Sequence, residues 1–387
     1  MSLVIVKQSD YNDALAATII NMMDKLAKPK LFAGARVLVK PNLLMPADPA
    51  QAILTHPMVV KAVAQYVLEA GGRVQVSDSP AIGSFQRILK KGGYLEACRG
   101  LDIDFKPFEE TRLVDIGPPY GRIELAADAL EADVIVNLPK LKTHELMHLT
   151  LGVKNLFGCI VGFQKPQWHL RAGTHIDQFA GLLVRICRHI NPAITLVDGI
   201  LGMEGQGPGR SGRPRKLGLL IGGRQPEAVD QTICRILGCS PQALPTHQAA
   251  RAMGTAPLDI RVDGSLPKIL NFKFPAADKM MGMGPEAVQK IMRKHLLKRP
   301  VPDTGLCRLC GQCAQQCPAK AITNLPDRLD FDYDRCIRCY CCLEICPYGA
   351  LRATDTLPGK MIHQVSNWCT QAIGRLRSRP AGPRCPR

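Results

Sequence analysis

The sequence has no long apolar run and no export signal. Its apolar stretches, such as Leu217–Ile221, fall far short of the roughly 18–20 residues that a membrane span needs. The first ten residues, MSLVIVKQSD, lack the basic start and the long apolar stretch of a secretory signal. These two absences predict a cytoplasmic protein that does not associate with membranes.

Aromatic residues are scarce, which limits the partners that so basic a chain would bind. The 387 residues include 50 Lys and Arg against 33 Asp and Glu, a formal net charge of +17, but only 5% of them are aromatic. Proteins that hold single-stranded nucleic acid stack the bases on aromatic side chains set among basic ones. We find no such motif and therefore do not expect nucleic acid as a partner.

Nucleotide-binding loops are also missing. No Walker A pattern occurs, and the glycine-rich segment 202–209 is not a dinucleotide fingerprint, because Pro208 interrupts it and a strand is predicted after it. We therefore recognise no sequence pattern of a flavin or nicotinamide site. The backbone N–H groups of segment 202–209 remain candidates for binding an anion.

Cysteine, in contrast, is abundant, and half of the 16 cysteines lie in a duplicated motif. The motif, C-x2-C-x2-C-x3-C-P, is typical of two-cluster bacterial ferredoxins. Its cysteines are Cys307, Cys310, Cys313 and Cys317 in the first copy, and Cys336, Cys339, Cys342 and Cys346 in the second. In such ferredoxins the fourth cysteine of each copy binds the cluster of the other copy. We therefore predict two [4Fe–4S] clusters with crossed ligation.

The crossed arrangement defines two ligand sets. They are Cys307, Cys310, Cys313 and Cys346 for one cluster, and Cys336, Cys339, Cys342 and Cys317 for the other. Structural zinc is the competing interpretation, but zinc sites usually take cysteines in pairs. Cys341 stands beside Cys342 and could compete as a ligand. The register of the repeat selects Cys342, so we expect Cys341 to be a packed or spare thiol.

The first 240 residues alternate strand and helix signals. Strands are predicted at 3–6, 36–39, 73–77, 133–136, 193–197 and 216–221, and helices from Pro57 to about 70 and from about 227 to 237. The strands lack polar alternation, which indicates burial on both faces. The prediction is an α/β fold, with a mostly parallel sheet that carries helices on both faces.

Three regions follow from these signals. Residues 1–300 are predicted to form the α/β domain, which would bind the substrate or ligand. Residues 303–352 are predicted to form a small α+β ferredoxin-like domain with two clusters. Residues 353–387 are predicted to be a C-terminal helix and a basic, disordered tail, since five Arg and no acidic residue lie in the last thirteen positions.

Polar side chains follow several of the predicted strands, where open α/β sheets bind their ligands. The candidate binding residues are Lys40, Asn42, Asp78, Lys140, Lys142, Lys154, Asn155 and Asp198. Any one of them alone could be an ordinary turn or cap residue. Four lysines together favour an anionic small-molecule substrate. Among them, Lys140 and Lys142 are predicted to act in catalysis.

His144 is the predicted proton donor. A two-electron reduction of an organic group usually requires protons, and histidine titrates near neutral pH. His144 and His148 would share one face if this segment were helical. The alternative is that these histidines are packed or exposed without a catalytic role.

With these motifs, the chain resembles the domain-of-unknown-function 362 family of iron–sulfur proteins. The resemblance is carried by VKPNLL (39–44), SDSP (77–80), NLPKLKTH (137–144), GVKNLFG (152–158) and DGILGMEGQGP (198–208). It implies an α/β domain that is fused to, or partnered with, ferredoxin modules. It also implies a redox role, without a named reaction or an established catalytic residue.

Two functions remain open at this point. The first is an iron–sulfur oxidoreductase in which two clusters relay electrons to or from an anionic substrate in the α/β cleft. The second is a non-catalytic electron carrier or adaptor, whose α/β domain recognises a redox partner protein. The polar residues at the strand ends favour the first.

Overall fold

The computed structural model describes residues 1–162, 164–173, 175–275 and 295–358. Its strands are β1 Ser2–Gln8, β2 Arg36–Pro41, β3 Arg73–Val76, β4 Ile103–Phe105, β5 Thr111–Asp115, β6 Arg122–Ala126, β7 Val134–Leu138, β8 Lys140–His144, β9 His148–Thr150, β10 Ile194–Gly205, β11 Gly212–Gly223, β12 Ile260–Asp263, β13 Arg299–Pro302, β14 Ile322–Asn324, β15 Leu329–Phe331 and β16 Leu351–Thr354. Its helices are α1 Ala14–Leu26, α2 Pro57–Glu69, α3 Phe85–Lys91, α4 Tyr94–Ala97, α5 Ala127–Glu131, α6 Gly152–Asn155, α7 Gln164–Ala172, α8 Ile176–Ile190, α9 Pro226–Ile236, α10 Pro245–Ala252, α11 Gln312–Gln315 and α12 Cys341–Ile345.

One ten-stranded sheet forms the centre of the α/β domain. Its strand order is β12-β1-β11-β10-β7-β2-β3-β4, with β8 paired to β10 and β9 paired to β8. Six of its nine strand pairs are parallel, and three are antiparallel. The mostly parallel α/β sheet predicted from the sequence is thereby confirmed.

The helices form because their apolar residues recur at helical spacing. In α2, Pro57 occupies the first turn, where a missing N–H costs nothing, and His56 caps the helix by accepting a hydrogen bond from the N–H of Met58. Val59, Val63 and Val67 of this helix are fully buried. Their burial fixes α2 against the sheet and places the end of β2 beside the candidate site.

The C-terminal module is a small α+β unit. In it, β13 pairs with β16 and β14 pairs with β15, all antiparallel. Its apolar core is continuous with that of the α/β domain, since Leu343 and Ile322 belong to the same buried cluster as Leu156 and Phe179. The module therefore packs firmly on the α/β domain.

Several parts of the sequence prediction need correction or stay open. The segment that contains Lys140 forms the buried strand β8, which is not among the strands predicted from the sequence. His144 and His148 face each other across the β8–β9 hairpin and do not share a helix. The predicted helix and tail at 353–387 lie outside the described residues beyond position 358. The domain boundaries stay a prediction.

Within the described ranges, no helix has the length and hydropathy that a membrane crossing requires.

Candidate functional site

A cavity of about 350 Å³ lies between the α/β domain and the C-terminal module. The α/β domain supplies most of its wall, and the module supplies Gln316, Cys341, Glu344 and Ile345. The volume is at the lower end of the range for small-molecule sites. The cavity is therefore complete only when both parts of the chain are present.

Lys142, on β8, reaches the cavity through a fixed network of amides. Its Nζ donates to Asn42 Oδ1 at 2.7 Å and to the carbonyl of Ile53 at 2.8 Å. Asn42 Nδ2 in turn donates to Asn155 Oδ1 at 2.8 Å. The two asparagines therefore hold Lys142 in place. Burial lowers the pKa of Lys142 to about 7, so a bound anion would favour its charged form.

Lys40 and Asp78 form a buried ion pair at the base of the cavity. Their Nζ and Oδ1 atoms lie 2.9 Å apart. Asp78 lines the cavity, whereas Lys40 lies behind it. A side chain at Gly158 would collide with both groups, which explains a glycine at this close approach. Lys40 is therefore expected to position Asp78 and not to contact a ligand directly.

Lys140 and Asp198 do not reach the cavity, in contrast to the sequence prediction. Lys140 Nζ lies 2.7 Å from Asp198 Oδ2 and donates to the hydroxyl of Tyr11 at 2.9 Å. The other carboxylate oxygen of Asp198 accepts from that hydroxyl at 2.7 Å. Lys140 and Asp198 are fully buried and compensate each other's charge. This cluster anchors the loop after β1 to the sheet and leaves Lys140 without a visible route to a substrate.

Lys154 and Lys165 complete the positive lining. Lys154 lies on α6 with its Nζ 5.2 Å from the centre of the Phe157 ring. In the part of the chain that the structure describes, its ammonium has no carboxylate or hydrogen-bond partner. Lys165, which no sequence pattern singles out, donates to the carbonyl of Ser79 at 2.6 Å. Burial lowers the pKa of both lysines, that of Lys165 to about 7.

His144 lines the cavity, but its ring is already engaged. Nδ1 accepts the backbone N–H groups of Leu146 and Met147, both at 3.1 Å. Nε2 lies 2.9 Å from Glu344 Oε1, although the two groups are not aligned for a regular hydrogen bond. Burial lowers the pKa of His144. Because Nδ1 accepts two N–H groups, the neutral ring carries its proton on Nε2, toward Glu344.

Glu344 is the module's charged contribution to the cavity. Burial would raise the pKa of its carboxyl, but the neighbouring His144 and Lys154 outweigh this effect and lower it. Glu344 is therefore ionised. Besides Asp78, which is paired with Lys40, the cavity wall thus includes a carboxylate that belongs to the cysteine motif itself.

His169, on α7, is a second imidazole in the cavity wall. Its ring stacks on Phe179 at 4.1 Å and meets the edge of Phe157 at 5.7 Å. Only 4% of the residue is exposed, and neither ring nitrogen has a hydrogen-bond partner among the described residues. Burial lowers its pKa to about 3, so the ring is neutral. At neutral pH the ring is therefore a neutral hydrogen-bonding group in the cavity wall, and it becomes a proton donor where a bound anion raises its pKa.

The eight motif cysteines line two small pockets in the module. Cys307, Cys310, Cys313 and Cys346 line one, and Cys317, Cys336, Cys339 and Cys342 line the other. No three His, Cys, Asp or Glu side chains within the described ranges converge on a single metal ion. Four thiols around a shared pocket suit a cubane, whose iron corners each take one thiolate. The two pockets correspond to the crossed ligand sets expected from the spacing.

Cys341 connects the second of these pockets to the cavity. Its side chain is buried and lines both. The thiol set of Cys317, Cys336, Cys339 and Cys342 is therefore the one beside the cavity. Gly209, in the glycine-rich segment, fits against the module here, since a side chain would approach the Glu344 carbonyl to 2.6 Å. That segment packs against the module and contributes Pro208 to the cavity wall, and its role in binding an anion stays a prediction.

Comparison with known proteins agrees with this architecture. Residues 37–235 match the family model described as domain of unknown function DUF362, and residues 300–350 match a 4Fe-4S dicluster domain. A thylakoid-associated protein of Synechocystis is 37% identical over 303 residues, which span 76% of this chain and 94% of that protein.

Two further relatives match only part of their own length. NADH-quinone oxidoreductase subunit I of Pelobacter propionicus is 34% identical over 96 residues, 21% of this chain and 50% of the subunit. Hydrogenase-4 component A of Escherichia coli is 31% identical over 74 residues, 19% of this chain and 35% of that protein. The apoprotein of lactate racemase from Thermoanaerobacterium thermosaccharolyticum shares 14% identity and a TM-score of 0.37 over 58% of this chain and 55% of its own.

Proposed function

Because this chain belongs to the DUF362 family and carries a 4Fe-4S dicluster domain, we propose that it is an iron–sulfur oxidoreductase acting on an anionic small molecule. The molecule would bind in the cavity between the α/β domain and the module. The match of residues 300–350 to a 4Fe-4S dicluster domain supports electron transfer by this part of the chain. The anionic substrate and its site are the proposal.

One observation carries this proposal: Cys341 lines both the cavity and the pocket of the second thiol set. A ligand in the cavity would be separated from the cluster held there by little more than one side chain. The two clusters supply single electrons when bound. A carrier that only recognised a protein partner would need no enclosed cavity at this position.

The charges of the cavity favour an anion. Lys142, Lys154 and Lys165 face it, against the single uncompensated carboxylate of Glu344. Burial costs each ammonium part of its hydration, and a carboxylate or phosphate would restore that stabilisation. Lys154 is the expected principal contact, because the other two lysines already donate to protein oxygens.

Protons for a two-electron reduction would pass through the cavity wall. His144 was the predicted donor, and its Nε2 proton points toward Glu344 and away from a free ligand. His169 has both ring nitrogens available among the described residues and is neutral. Because an anion bound beside the ring would raise its pKa, we assign proton exchange with the ligand to His169, and a supporting role to His144. His169→Gln should then slow reduction of a bound substrate without weakening its binding.

The proposal is tested by anaerobic purification and mass spectrometry of any small molecule that stays bound. Calorimetry with mono- and dicarboxylates and orthophosphate then measures affinity directly. The expected result is that one anion binds per chain. At least one of the bound compounds should also reoxidise the dithionite-reduced protein. If no anion binds to the intact, fully loaded protein, the carrier or adaptor function replaces this one.

A further inference from the structure

The two thiol sets differ in their access to solvent. Of the eight motif cysteines, Cys310 alone is exposed, and its set lines the pocket that does not touch the cavity. The other set lies beside Cys341 and the cavity. The module therefore has one end that faces solvent and one end that faces the candidate substrate site.

Two large, partly apolar side chains and one arginine lie at the exposed end. Leu306 is 42% exposed and Tyr348 is 47% exposed, although both are large and partly apolar. Arg308 is exposed and is the only charged residue among those that line this pocket. We call Leu306, Arg308, Cys310 and Tyr348 the Cys310 face. An exposed aromatic and an arginine are the residues that protein interfaces favour.

We propose that the Cys310 face is the docking surface for a small acidic electron-carrier protein of the iron–sulfur or flavin type. The net charge of +17 lies outside residues 303–352, which hold six basic and six acidic side chains, so it would attract an acidic carrier to the chain as a whole. Arg308 would then orient the carrier against the exposed cluster. Leu306 and Tyr348 would supply the apolar contact. This inference goes beyond the proposed substrate site and does not depend on which anion binds there.

The docking surface also implies a direction of electron flow through the module. The reduced carrier gives up one electron and leaves oxidised, and the chain gains that electron at the Cys310 end. The cavity lies at the other end of the module. Two such encounters supply the two electrons that reduction of an organic substrate consumes, while the protons enter separately through the cavity wall.

A stopped-flow experiment tests the proposal on the intact, cluster-loaded protein. The probe is a reduced, acidic [2Fe–2S] ferredoxin, and the readout is the rate at which it reduces the chain. Arg308→Glu should lower the second-order rate constant by about tenfold or more at low ionic strength. Arg99→Glu, an equal charge change at an exposed position on the α/β domain, should lower it less than about twofold.

Two further measurements make the outcome decisive. The wild-type rate should fall as ionic strength rises from about 10 mM to 1 M, since the Debye length shrinks from about 30 to 3 Å. Tyr348→Ala should slow the reaction while reduction by dithionite and the EPR spectra of both clusters stay unchanged. Equal effects of Arg308→Glu and Arg99→Glu, or a rate independent of salt, would overturn the proposal. Anion binding in the cavity, measured separately, would remain intact in either case.

Discussion

The Nε2 atom of His144 lies 2.9 Å from the Oε1 atom of Glu344, and this contact joins the α/β domain to the ferredoxin-like module. Both residues also line the cavity. The acidic side chain of the cysteine motif thus occupies the part of the site where cations converge. A ligand must share these cations with Glu344.

This relationship predicts that Glu344→Gln will strengthen anion binding. The amide keeps the shape of the side chain but removes a negative charge near Lys154 and Lys142. At the effective dielectric of a protein site, we expect affinity to rise by about three- to tenfold. Calorimetry with the tightest carboxylate of the panel measures it. Asp327→Asn makes the same change in an exposed ion pair of the module and should leave the affinity for the carboxylate unchanged. Weaker carboxylate binding by Glu344→Gln would count against the placement of the anion.

Lys154→Met should weaken anion binding more than any other single lysine change in the cavity. Methionine keeps most of the side-chain length and can still pack on Phe157, so the loss reports the charge. We expect about 1–3 kcal/mol, the range of a lost charge-assisted contact. The visible and EPR spectra of the clusters should not change. Binding equal to wild type would show that the anion does not reach Lys154.

Lys140 provides the contrasting case on the same strand. Lys140→Met leaves Asp198 buried without its cation, which typically costs about 3–5 kcal/mol of stability. Urea unfolding should reveal this loss, while the affinity of folded protein for anions stays close to that of wild type. A selective loss of anion binding would instead restore Lys140 to the site.

The fold was more predictable from sequence than the site. The strands β2, β3 and β7 were found because buried parallel strands leave a local signature, namely a short, uninterrupted apolar run. Lys140 and Lys142, in contrast, are alike in sequence, and only their distant partners, Asp198 and Asn42, give them different roles. His169 and Lys165 were missed because no local pattern marks α7 as part of the cavity wall. Glu344 lies within the cysteine motif, and the spacing of that motif indicates iron–sulfur clusters but no part of a substrate site.

Anion binding should also depend on pH. The pKa values of Lys142 and Lys165 are lowered to about 7 by burial, so each is partly neutral at that pH. A bound anion favours the ammonium form, and binding therefore takes up protons. Affinity should be highest below pH 7 and fall above it, with the dissociation constant rising by up to about tenfold per pH unit for each lysine involved. Calorimetry between pH 6 and pH 9, with a carboxylate that stays ionised throughout, checks this. An affinity that does not change across that range would mean that neither lysine titrates with binding.

The two ligand sets predict different results for neighbouring cysteines. Wild-type protein should contain about eight irons and eight acid-labile sulfides per chain. Cys317→Ala should damage the cluster of Cys336, Cys339 and Cys342, because Cys317 lines their pocket. Cys341→Ala should retain nearly all the iron. Iron analysis with EPR decides both points, and loss of the other cluster in Cys317→Ala would disprove the crossed ligation.

The proposed function depends on an anion bound in the cavity directly beside the cluster of Cys317, Cys336, Cys339 and Cys342. EPR spectroscopy of the dithionite-reduced protein, recorded with and without the tightest-binding carboxylate, tests it most directly. We expect the signal of this cluster to shift on binding and the signal of the Cys310 cluster to stay unchanged. Lys154→Met should abolish the shift at the same carboxylate concentration. A bound carboxylate that leaves both signals unchanged, or that shifts only the signal of the Cys310 cluster, would contradict it.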